Sequence, residues 1–141
     1  MGRPRSFDEA EVLIAATTVF QRLGYEGTSI DDLVAATGLH RGSLYKAFAS
    51  KRGLFLACLR HVVSRQLPDD LQRSTPLDLT HDDTLDLVLV AALEICSGDE
   101  EARGLVDEAL CVLGGQPELV LGRRLLMRAR LFHNAPVALT D

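Results

Sequence analysis

Residues 37–51 read TGLHRGSLYKAFASK. Four of them, Arg41, Ser43, Tyr45 and Lys46, carry side-chain donors suited to phosphate oxygens and base edges. On a helix over 41–48, rotation by about 100° per residue fixes the faces. Leu44 centres the inner face with Ala47 and Phe48 beside it. Gly42 and Lys46 point the opposite way, and Ser43 and Tyr45 lie on the flanks. A glycine inside a helix costs roughly 0.5–1 kcal/mol relative to alanine. Its place on the outer face points to something that must approach closely. Lys51 and a free N–H near Thr28, at the start of the preceding helix, are placed for flanking phosphates. Plain core packing is the competing account of the same residues.

The elements that must position this face are legible upstream and downstream. The first helix is expected over 7–23, with Ser6 and Glu9 in capping-box spacing and Leu13, Ala16, Phe20 and Leu23 on one stripe. Gly24 ends it. A short helix follows over about 29–37, capped by Thr28 or Ser29, with Asp31 and Asp32 at its positive end and Gly38 after it. This helix, the tight Gly38-Leu39 turn and the helix over 41–48 form a helix-turn-helix, whose second helix can enter a major groove. Ser50 caps a fourth helix over 51–66, and Pro68 with Asp69-Asp70 is expected to end it. Residues 68–80 read as a linker. Three further helices are expected: one capped by Thr80 and Asp83 and running to about Ser97, one over 100–113, and one from Pro117 to about His133. The fold class is all-α, with a DNA-binding unit over 1–50 and a short helical ligand-binding and dimerisation unit over 51–141.

The 141 residues carry a net charge of −5, but unevenly. Residues 1–65 hold nine Lys/Arg against six Asp/Glu, and residues 66–141 hold six against fourteen. A local basic face can therefore bind phosphates while the acidic remainder faces away. The three cysteines, Cys58, Cys96 and Cys111, form no CxxC pair, which favours a reducing cytoplasm over a disulfide framework or zinc site. The charged start is no secretory signal, and the longest apolar stretch, 85–96, contains Asp86 and Glu94 and is too short to span a bilayer.

The string FDEAEVLIAATTVFQRLGYEGTSIDDLVAATGLHRGSLYKAFASKRGLF resembles the N-terminal DNA-binding domain of the TetR family of transcriptional regulators. The marks are Ala16, Phe20, Gly24-Tyr25, Thr28-Ser29, Ala36-Thr37-Gly38-Leu39, Gly42-Ser43-Leu44-Tyr45, Phe48, Lys51 and Leu54-Phe55, over about residues 6–60. The opening GRPR resembles the basic arm that often precedes the first helix in that family. The resemblance implies a homodimeric, ligand-responsive regulator, most often a repressor, acting on a near-palindromic double-stranded DNA operator. It calls for no cofactor, metal or membrane, and it leaves room for a small-molecule effector. Carried onto this chain, the DNA contacts are Thr28, Arg41, Gly42, Ser43, Tyr45, Lys46 and Lys51, with Arg3 and Arg5 in the arm. His40 departs from the serine or threonine common before the reading helix, and the C-terminal half is shorter than usual.

Apolar residues on more than one face of the helices near 84–97 and 117–133 point to a second copy of the chain. Two rivals remain. One is a protein-interaction module without DNA affinity, and the other is a small thiol-dependent enzyme. No glycine-rich phosphate loop, serine elbow or HExxH supports catalysis.

Overall fold

The computed structural model describes residues 7–130, which form eight α-helices and no strand. The first helix, α1 (Glu9–Leu23), starts two residues later than the sequence suggests. Its N-cap is Asp8, whose carboxylate accepts the Ala10 N–H at 2.9 Å. Ser6, the expected cap, lies outside the described residues, as do Arg3 and Arg5. Next come α2 (Ile30–Thr37), α3 (Arg41–Phe48) and α4 (Lys51–His61). Ser29 caps α2 in a full capping box with Asp32, and Ser50 caps α4 through the Gly53 N–H at 2.9 Å.

The expectation that Pro68 ends the fourth helix does not hold. The chain continues through one π-helical turn, Val62–Gln66, into α5 (Leu67–Arg73). A proline lacks an N–H and clashes with the carbonyl four residues back in a regular helix. The widened turn, in which the Leu67 N–H reaches the Val62 carbonyl, accommodates it just before Pro68. The supposed linker therefore holds α5 and a 3₁₀ turn, Asp78–His81.

The helix α6 (Thr84–Glu94) follows. Thr80 does not cap it, because its hydroxyl is turned inward onto the Leu77 carbonyl at 2.7 Å. The helices α7 (Glu100–Leu113) and α8 (Pro117–Arg128) complete the described chain. Leu131, Phe132 and His133, expected in the last helix, lie outside it.

A single apolar cluster runs from Leu13, Ala16 and Phe20 of α1, through Leu33, Leu44, Leu54, Phe55 and Leu59, to Leu85–Ala91 of α6 and Val120 of α8. Every residue from Thr84 to Ala91 is buried, so α6 is the central rod. It must also bury Asp86. That carboxylate takes a fork from Arg124 (2.7 and 2.8 Å) and an ion-pair contact from Arg128 at 3.1 Å, which pins α8 to α6.

A second ionic clasp joins α4 to the start of α7. Arg52 donates to Asp99 (2.5 and 3.0 Å), and Arg60 to Glu101 at 2.7 Å. The Arg52 hydrogen bond, helped by the Ala102 N–H, holds the Asp99 carboxyl down at about 2, from the ordinary 3.8. The folded-state value lies below the unfolded one, so this contribution to stability is full above about pH 4. It is lost as pH falls towards 2. Melting temperature followed across that window is expected to fall, and Asp99→Asn should remove this share of the slope. An unchanged slope would show the clasp to be inert.

Candidate nucleic-acid interface

The turn between α2 and α3 is built locally. Gly38 takes a left-handed conformation (φ 74°) and its N–H closes on Val34 O. Thr37 bonds back to Leu33 O at 2.7 Å and accepts the Leu39 N–H at 3.3 Å. Leu44 is buried, and Phe48 packs against the core. The opposite side of α3 is solvent-facing, as the helical rotation predicts. Gly42 and Lys46 are exposed, Tyr45 is 43% exposed, and Ser43 is half-buried. A side chain added at Gly42 would meet nothing within 4 Å. The protein's own packing therefore does not require this glycine. Among the described residues, no carboxylate pairs with Lys46.

Three of the expected contacts are engaged inside the protein. Thr28 is buried, its hydroxyl donates to the Gly24 carbonyl at 2.6 Å, and its N–H bonds to Tyr25 O at 3.3 Å. It closes the turn after α1 and cannot reach a phosphate through its side chain. Lys51 is also redirected. Its ammonium donates to the carbonyls of Tyr25 (3.0 Å) and Thr28 (3.2 Å) and sits 4.4 Å over the Tyr25 ring. It staples the α1–α2 turn to α4, with one of its three donors left over. Arg41 is exposed and forms an ion pair with Asp31. His40 occupies the N-cap of α3 without a side-chain cap bond, and it lines an open hollow with Phe7, Asp8, Glu11 and Ser43.

Sequence reading missed the acids that organise this end of the molecule. Glu94, at the end of α6, accepts the N–H groups of Tyr25 (3.1 Å) and Glu26 (2.9 Å). The same turn is thus held by Lys51 through two carbonyls and by Glu94 through two amides. Gly24 has φ 79°, and an added side-chain carbon there would come within 2.7 Å of the Glu94 carboxylate. The one available signal was a charge placed in an otherwise apolar stretch, which marks Asp86 and Glu94 alike.

The thiols offer little chemistry. Burial pushes Cys58 up to about 12 and raises Cys96, so Cys58 is no nucleophile. Cys111 is exposed. No group of three or more metal-ligating side chains comes together among the described residues. No described helix is long and apolar enough to cross a membrane.

Residues 12–58, which span α1 to α4, match the model of the bacterial regulatory proteins of the tetR family. The likeness to that family is carried by this N-terminal segment. Over 60 residues it is 48% identical to the uncharacterized HTH-type transcriptional regulator YezE of Bacillus subtilis (strain 168), which covers 43% of this chain and 31% of that protein. Over 64 residues it is 45% identical to the HTH-type transcriptional repressor ComR of Escherichia coli (strain K12), covering 45% and 30%. The matched stretch thus spans less than a third of these curated relatives. Among solved structures, the TetR family transcriptional regulator CifR, as a cysteine mutant complexed with 26bp double-strand operator DNA, aligns at 28% identity and a TM-score of 0.49. That alignment covers 99% of this chain and 79% of CifR. The TetR-family match falls on the segment that presents Gly42, Tyr45 and Lys46 to solvent.

Proposed function

We propose that the chain is a sequence-specific, cytoplasmic DNA-binding regulator, a ligand-responsive repressor that acts as a homodimer on a near-palindromic operator. The observation that carries the reading is the outer face of α3. It is exposed, basic and open at Gly42, with no internal use for that opening. Arg41, Ser43, Tyr45 and Lys46 are the contacts to base edges and phosphates, with the leftover donor of Lys51 at the rim. Arg3 and Arg5 remain contacts of an N-terminal arm.

The dimer reading is supported by α8. Leu119 (55% exposed), Gly122 and Leu126 (40% exposed) recur at helical spacing on one solvent-facing stripe. Two reading helices so paired must sit roughly 34–36 Å apart, or whole turns beyond, to enter successive major grooves on one DNA face. Ligand response is supported by the Glu94 and Asp99 contacts. A small molecule that shifted α6 would act on the α1–α2 turn through Glu94, and one that shifted the start of α7 would act on α4 through Asp99; either would bias DNA binding by its differential affinity for the two arrangements.

The test is a gel-shift titration across salt on DNA selected from a random pool. Tyr45→Ala and Lys46→Ala are each expected to weaken binding to all sequences. Lys46→Ala should also flatten the salt slope by about one. Unchanged affinity and slope in both variants would remove α3 from the mechanism and favour the interaction-module reading.

A further inference from the structure

An acid on a phosphate-binding face needs an explanation. Asp31, in the first turn of α2, is 82% exposed at its side chain, and its carboxylate holds the Arg41 guanidinium, itself 56% exposed. Its neighbour Asp32 has a structural use, since it completes the capping box by accepting from the Ser29 N–H (2.9 Å) and hydroxyl (2.8 Å). Asp31 has no such bond to the backbone of α2. The positive end of the helix accounts for an acid in this turn. It does not account for one that neutralises the arginine at the first position of the reading helix.

We infer that Asp31 acts as an internal stand-in for a phosphate. It occupies Arg41 in the free protein and must be displaced when DNA docks, which restrains sequence-independent binding. This rests on the DNA-binding reading above. A cation that neutralises a phosphate releases a condensed counterion, and that release drives non-specific affinity. Arg41 is already neutralised, so exchange gains less, and the released carboxylate then faces the DNA backbone. Of the other cations here, Lys51 is turned inward and Lys46 stands without a carboxylate partner among the described residues. Arg41 is therefore the contact whose strength Asp31 sets.

The probe is a random-sequence duplex, with binding followed by fluorescence anisotropy across a salt series. Asp31→Asn is expected to bind about two- to five-fold more tightly at low salt, the effect of releasing one exposed ion pair. Its salt slope should steepen by up to about one. Asp31→Glu, which keeps the charge, should stay near the parent protein. In an Arg41→Ala background, Asp31→Asn should gain clearly less, because only the carboxylate's repulsion of the DNA backbone is then removed. Equal gains with and without Arg41 would overturn the exchange and leave only general repulsion. Weaker or unchanged binding by Asp31→Asn would overturn it too, and weaker binding would identify the pair as a brace for the α2–α3 angle. A parent protein without affinity for any duplex would instead remove the DNA-binding reading itself, and this inference with it.

Discussion

Asp86→Ala is expected to lower unfolding free energy by about 3–5 kcal/mol, the loss typical of breaking a buried ion pair from one side. The reason lies in what remains. Arg124 forks onto Asp86 and also donates to the Thr80 carbonyl at 3.3 Å, and its side chain is only 14% exposed. Without the carboxylate, that guanidinium stays buried against apolar α6 with one carbonyl for company. Arg128, at 28%, has an easier route to solvent. Urea unfolding of the single variant and of Asp86→Leu with Arg124→Leu separates two effects. The double variant should recover much of the loss, because apolar replacement of a whole buried pair is often neutral. A single-variant loss below about 1 kcal/mol would class the pair with exposed salt bridges. The apolar stripe of α8 is carried on the same helix, so the dimer contact proposed above should fail along with stability.

Gly53→Ala is the second large effect, and it is best read against Gly42→Ala. The added carbon at residue 53 would lie 1.9 Å from the Phe48 carbonyl oxygen and 3.1 Å from its carbon. These are backbone atoms at the end of α3, at a corner where Ala49 already holds φ 71° and Ser50 caps α4. Nothing there can rotate away, so α4 or the reading helix must move. A loss of about 1–3 kcal/mol or more follows for such overpacking, with loss of DNA affinity through a displaced α3. The same methyl at residue 42 meets open space and should stabilise the helix by roughly 0.5–1 kcal/mol. Thermal melts of the two variants are expected to shift in opposite directions. A Gly53→Ala protein as stable as its parent would refute the close approach.

Local chemistry was legible in the sequence. The bounds of α3, the Ser50 cap, a cap at Thr28 or Ser29 (the structure uses Ser29), the buried Leu44 and the exposed Gly42, Tyr45 and Lys46 all follow from spacing and end-capping within a few residues. What failed depended on partners far along the chain. Thr28 and Lys51 read as surface donors because their carbonyl partners lie in a turn whose shape no local pattern encodes. Pro68 read as a terminator because its rule assumes a regular helix, and one widened turn upstream suspends the rule. The Glu94 and Asp86 contacts bridge 69 and 38 residues, beyond the reach of any window.

The grip of Glu94 on the amides of Tyr25 and Glu26 also limits modularity. The N-terminal domain looks transferable, since its family likeness ends by residue 58. Yet one of its own turns is completed by a side chain from α6. A chimera that joins this reading head to a foreign sensor inherits two unsatisfied amides and a cramped glycine with nothing to face. The donor's last acid on the central helix has to travel with the head, or the recipient must supply one at the same height.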